Sequence, residues 1–242
     1  MKCYDLNIKG NSYNCNKELI LEAHRLGWDY FNLLFSPESY EKAIKYKNNL
    51  RDEIEDIIIN NLRNKIGLEF GIEIHPKNQN ELYKLTKKYR NKTKFISVLG
   101  GDLGVNRGVC ENIQVDVLSR PYLNLPSCGI NHVLAKEAVK NYVAIELCFN
   151  DILSSYLSYR SKIMAHFREI IKLHKKFKFP LIITSGASSI WEIRSPRDIS
   201  AIFKYLDLFE DEFNNTIQNY PQKIIEFNNE RENMIILGVK KI

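Results

Sequence analysis

With 242 residues, 44% of them hydrophobic, the chain is long enough to bury a proper core and suits one α/β domain better than two small ones. Lys and Arg outnumber Asp and Glu by 35 to 29, and the resulting net charge of +6 permits a polyanionic partner without demanding one. The five cysteines are scattered and form no CxxC pair, which argues against a disulfide scaffold or a zinc cage.

The N-terminal MKCYDLNIKG carries no apolar signal region, and no run approaches the ~18 apolar residues of a membrane span. The expectation is a cytoplasmic protein with no membrane partner. Lys2 to Ile8 alternates as a first strand, and Asn16 to Leu26 has helical apolar spacing that Gly27 stops. Trp28 to Phe35 reads as a second strand. Ser36-Pro37-Glu38 opens a helical tract to about Asn64, with a break expected near Asn48-Asn49.

Ile66 to Ile74 is a third strand closed by His75-Pro76, and Asn78 to Tyr89 an amphipathic helix. Phe95 to Leu99 is the fourth strand; the Gly100-Gly101-Asp102-Leu103-Gly104 after it lacks the spacing and the Gly-Lys-Ser/Thr end of a phosphate loop. A helical turn at Asn106 to Cys110 precedes a fifth strand, Val115 to Leu118, and Arg120 to Gly129 is an irregular connection. Asn131 to Asn141 reads as a helix, Val143 to Leu147 as the sixth strand and Ser155 to Phe177 as a long helix.

Leu181 to Ile183, bounded by Pro180 and Gly186, reads as a buried strand. Ser195 and Pro196 then cap and start a helix to about Leu208, followed by two helical tracts and a possible last strand, Met234 to Val239. Strands and helices alternate with no domain break, so residues 1–242 are expected to form one distorted TIM-like (β/α) barrel domain of seven to eight parallel strands with extra helices.

In such barrels chemistry sits at the carboxyl ends of the strands. Those ends read Asp5-Leu6-Asn7-Ile8-Lys9, Glu73-Ile74-His75, Gly101-Asp102, Asp116-Val117-Leu118-Ser119-Arg120, Glu146-Leu147-Cys148-Phe149-Asn150 and Ser185-Gly186-Ala187-Ser188. The frame resembles the polymerase-and-histidinol-phosphatase superfamily of metal-dependent barrels. That resemblance implies metal ligands where this chain has Asn7, Lys9, Arg120, Gly186 and Ser188, with Glu73 alone retained. An amide, an ammonium and a guanidinium do not make a catalytic zinc site.

A narrower resemblance covers nearly the whole chain. VLGGDLGVNR (Val98 to Arg107), VDVLSRP (Val115 to Pro121), GINHVLAKEAVKNYVAIEL (Gly129 to Leu147) and ITSGASSIWEIRSPRDI (Ile183 to Ile199) are similar to the protein component 3 family of archaeal ribonuclease P, its thirty-kilodalton subunit. The resemblance implies a barrel without its own active site, in a ribonucleoprotein that removes the 5′ leader of precursor tRNA. It implies as partners the ribonuclease P RNA, precursor tRNA through the holoenzyme, a smaller protein subunit in a heterodimer or heterotetramer, and further protein subunits. No cofactor is expected in this chain, and magnesium is expected to act with the RNA.

Phosphate contacts dominate RNA affinity, so the candidate RNA-binding residues are cations in or beside the matched motifs: Arg107, Arg120, Lys136, Arg194 and Arg197, with Lys9 in a second rank. The rival reading is a free-standing metallophosphoesterase rearranged around Glu73, His75 and Asp102. The runs Lys172, Lys175, Lys176, Lys178 and Lys87, Lys88, Arg90, Lys92, Lys94 fall at helix ends, where the dipole already favours cations. Ser185 and Ser188 lack an evident base, and Trp191 is open between base stacking, partner anchoring and capping the barrel.

Overall fold

The computed structural model describes residues 2–59 and 66–231, with the backbone of Met234–Ile236 and Val239–Lys240. Seven strands pair in parallel in chain order: β1 (Tyr4–Lys9), β2 (Tyr30–Phe35), β3 (Gly67–Ile74), β4 (Ile96–Leu99), β5 (Val117–Ser119), β6 (Ala144–Cys148) and β7 (Leu181–Thr184). The helices are α1 (Tyr13–Arg25), α2 (Pro37–Ala43), α3 (Lys47–Ile59), α4 (Gln79–Tyr89), α5 (Leu103–Cys110), α6 (His132–Lys140), α7 (Phe149–Ser154), α8 (Leu157–Phe177), α9 (Pro196–Tyr205), α10 (Glu210–Ile217) and α11 (Asn219–Arg231). The result is the expected TIM-like α/β fold.

Three expectations need correction. The break in the long helical tract falls at the tight turn Ile44–Tyr46, before Asn48-Asn49, and residues 60–65 lie outside the described residues. The helix expected from Ser155 begins at Leu157, whose φ of 46° marks a break, and α7 precedes it directly after β6. Met234–Ile236 does not join the barrel: it pairs antiparallel with Val239–Lys240, and residues 237–238 lie outside the described set. Among the described residues seven strands build the barrel, within the expected seven to eight.

Side-chain caps set where five helices leave the carboxyl ends of the strands. Ser36, Asn78, Asp102, Asn131 and Ser195 each accept a backbone N–H of the following first turn, satisfying donors that a helix start leaves unpaired. Between strands and helices lies the larger apolar core, with Trp28, Phe31, Phe70, Phe167, Phe203 and Phe213 buried. A smaller one fills the barrel interior with Leu6, Leu34, Phe95, Val117, Ala144 and Ile182, and Ile224 of α11 joins it. Below it Asp116, 3% exposed, is held by Arg90 at 2.8 Å and Arg231 at 3.2 Å, and accepts the Ile96 amide at 2.7 Å.

The barrel closes without a regular ladder between β1 and β7. The Gly186 amide donates to the Asn7 carbonyl at 2.9 Å and the Lys9 amide to the Ala187 carbonyl at 2.8 Å. Beneath these bonds Asp5 Oδ1 accepts the amides of Asn7 and Ser185, each at 3.2 Å, so a fully buried carboxyl replaces part of the missing ladder. Burial pushes Asp5 up to about 7, aided by the Glu146 charge and only partly offset by its hydrogen bonds.

Because the folded state keeps this proton where the unfolded chain releases it near 3.8, Asp5 favours folding most at low pH. That contribution is lost as pH rises toward about 7, at up to ~1.4 kcal/mol per pH unit. Urea unfolding of Asp5→Asn, whose amide cannot titrate, should show a flatter pH dependence across this window than the unaltered chain; equal slopes would refute the assignment.

Candidate functional site at the barrel mouth

The carboxyl ends of the strands bring together residues from opposite ends of the chain. From β1, Lys9 Nζ donates to both oxygens of Glu73 on β3, at 2.7 and 2.8 Å, with 25% and 11% of the two side chains exposed. His75 Nε2 lies 3.1 Å from Glu73 Oε2. Burial alone would raise the Glu73 carboxyl, but the His75 hydrogen bond and the Lys9 charge outweigh it and hold it at about 2. Deeper, Asn7 Nδ2 donates to Glu146 Oε1 at 2.7 Å, and Thr184 hydrogen-bonds the same oxygen.

Across the mouth Arg120, in the left-handed region at φ 49°, turns its guanidinium inward. Nη2 lies 3.1 Å from Cys148 Sγ, and Nε lies 3.3 Å from Asp151 Oδ1. Tyr122, fully buried, donates its hydroxyl to Asp151 Oδ2 at 2.6 Å. Burial pushes Cys148 up to about 12 against the pull of Arg120, so its sulfur is a protonated thiol at neutral pH. Gly186 makes room for this cluster: at φ 64°, a Cβ there would stand 2.1 Å from Cys148 Sγ.

The superfamily frame implies a metal here, and the residues do not fit one. Lys9 occupies both oxygens of Glu73, Arg120 carries a second fixed positive charge, and Asp102 caps α5 by accepting the Val105 amide at 2.8 Å. Among the described residues no three His, Cys, Asp or Glu side chains converge to hold a metal ion. Nucleophilic chemistry fits no better. Ser188 hydrogen-bonds Glu192 at 2.8 Å, and Ser185 is buried with its hydroxyl accepting the Ala187 amide at 3.1 Å. Neither meets a histidine.

The six predicted cations are not one cluster. Lys9 and Arg120 are brought together at the mouth, and both act on the Asp151 carboxyl. Arg107 is exposed on α5 and bonded to Glu111 at 2.8 Å. Arg194 donates to the Trp191 and Ile193 carbonyls, both at 2.7 Å, tying down the loop between β7 and α9. Lys136 on α6 and Arg197 on α9 are exposed and make no ion pair among the described residues. Trp191 is 81% exposed, which removes the barrel cap from its three readings. Asp151 and Tyr122 escaped the sequence reading because only the fold carries them to Arg120.

If Lys9 neutralises Glu73, Lys9→Met should lower unfolding free energy at pH 7 by ~2–4 kcal/mol, since it strands a mostly buried carboxylate. The double variant Lys9→Met/Glu73→Gln should recover most of the loss. Because Glu73 titrates lower in the folded than in the unfolded chain, the ion pair's contribution is present above about 4.5 and lost as pH falls toward about 2. Denaturant titrations of these two variants and of Glu73→Gln check this, and additive losses would rule out the pairing.

Comparison with known proteins reaches beyond the barrel. A family model described as RNase P subunit p30 matches residues 2–233. Ribonuclease P protein component 3 of Methanothermobacter thermautotrophicus is 37% identical over 240 residues, covering 99% of this chain and 95% of that protein. The protein of the same name from Methanococcus maripaludis strain C5 is 34% identical over 226 residues, 90% of each. A chain in the cryo-EM structure of archaeal ribonuclease P with mature tRNA matches with a TM-score of 0.77 at 30% identity, covering 99% of this chain and 97% of that one. The histidinol phosphate phosphatase of Lactococcus lactis, at 12% identity and a TM-score of 0.52 over 85% of this chain and 92% of that one, shares the fold alone. With a match running almost end to end and a mouth sealed by its own ion pairs, the chain belongs to the RNase P subunit p30 family.

Proposed function

We propose that this chain is a protein subunit of ribonuclease P, the ribonucleoprotein that removes the 5′ leader from precursor tRNA. The observation that carries the proposal is the match along 99% of the chain to ribonuclease P protein component 3. A barrel mouth whose Lys9 and Arg120 are paired with Glu73 and Asp151 supports it. In this reading the chain acts as one domain that binds and helps fold the RNA together with a smaller protein subunit, among the other subunits of the holoenzyme. The RNA carries the catalysis, and magnesium acts with the RNA rather than in the barrel.

Lys136 and Arg197, which present their charge to solvent, are the foremost RNA contacts, with Arg107, exposed but bonded to Glu111, and Arg194 in the loop after β7 behind them. Arg120 and Lys9 would have to exchange an internal partner for a phosphate, and we assign them to holding the mouth. No helix among the described residues is long and apolar enough to cross a membrane. The cysteines are free and three of the five are buried, which supports a place in the reducing cytoplasm.

Reconstitution tests the proposal. Cleavage of precursor tRNA by ribonuclease P RNA should speed up, or need less magnesium, when this chain and the smaller subunit are added together, and gain little from either alone. No gain from the pair would defeat it. In the same assay Arg107→Ala/Arg197→Ala should weaken RNA binding and lower the magnitude of the slope of log affinity on log salt by about 2.

A further inference from the structure

Two cation-lined grooves mark the outer surface, and they differ in one respect. The first, of 430 Å³, has Lys47, Arg90, Lys92 and Arg231 in its lining, and each meets a carboxylate: Glu69, Asp116, Glu41 and Asp116 again. Those four charges are used within the fold. The second, of 690 Å³, lies between α6 and α8 and is lined by Lys136, Lys172 and Lys176 over the apolar floor of Leu173 and Phe177. None of these three lysines makes an ion pair among the described residues. The one acidic residue in its lining, Glu169, makes no ion pair with these lysines among the described residues, and the nearby Cys128 thiol donates to the Ile130 carbonyl at 3.1 Å.

The helix dipole accounts for a lysine in the last turn of α8. It does not account for Lys136, which comes from the middle of another helix and converges on the same groove. We propose that the groove between α6 and α8 is an RNA-binding surface in its own right, gripping a phosphodiester backbone on the flank of the barrel. Three flexible ammonium groups on aliphatic stems suit phosphate oxygens as point charges and carry no fork for reading base edges. The footprint on RNA therefore extends down the side of the barrel from the mouth loops. This inference rests on the ribonuclease P reading above.

The test is a salt series. Binding of ribonuclease P RNA to the full chain is measured from low to physiological salt, alongside precursor tRNA cleavage with the smaller subunit. Lys136→Ala/Lys172→Ala/Lys176→Ala should lose tenfold or more in affinity and lower the magnitude of the salt slope by about 2–3. The triple Lys→Arg variant should keep both, and an unchanged thermal midpoint excludes misfolding as the cause. Unaltered affinity and slope in the alanine variant, while the parent chain binds RNA and stimulates cleavage, would overturn the groove and leave the subunit reading intact. A parent chain that neither binds nor stimulates would take both down. Loss of the smaller subunit with unchanged RNA affinity would give the groove to a protein and overturn the inference.

Discussion

Neutralising carboxylates inside a closed barrel is the constraint on which the rest of this structure depends. Asp5, Glu73, Glu146 and Asp151 all point into a space from which water is largely excluded, and an uncompensated buried charge costs several kcal/mol. The chain answers each separately. Lys9 reaches Glu73, Arg120 faces Asp151, Asn7 and Thr184 hydrogen-bond one oxygen of Glu146, and Asp5 is pushed up to about 7, so that it holds its proton over the acidic range. Tyr122 and Gly186 hold the geometry, one by a hydroxyl and the other by having no side chain.

This solution determines what the barrel can do. A TIM-like mouth works as a reaction site when its strand ends leave polar groups open toward a ligand. Here Lys9, Glu73, Arg120 and Asp151 are turned to partners from other elements, while Asp5 Oδ2, Asn7 Oδ1 and Glu146 Oε2 stay buried without a hydrogen-bond partner. The Asp5 bridge and two backbone bonds close the seam between β1 and β7. At the other end α11 joins the inner core and Asp116 ties it to the sheet through Arg231. What remains available is the outside: capped loops, exposed Trp191, and cations on helix faces that the core does not use.

An outside of that kind fits a scaffold that holds RNA. Phosphates need charge in fixed positions more than a deep pocket, and a rigid barrel supplies fixed positions cheaply. The contrast between the two grooves shows how far position alone can be misleading. Both are rich in cations, yet four in one are paired with Glu69, Asp116 and Glu41 while the other holds three lysines that make no ion pair among the described residues.

Much of this was legible in the residues. The short apolar runs and their caps marked seven strands and the helices after them, because buried parallel strands and helix starts have local signatures that survive in any fold. The exchange of ligand-type residues for Lys9, Arg120 and Gly186 was readable as well, and in the fold Lys9 and Arg120 each face a carboxylate. Tertiary structure alone decided the pairings: Lys9 with Glu73 sixty-four positions away, Asn7 with Glu146 a hundred and thirty-nine away, Lys136 beside Lys172. It also removed Met234–Ile236 from the barrel, since a strand's sequence says that it will pair but not with which edge. A residue's chemistry is written locally, whereas its partner depends on how the whole barrel closes.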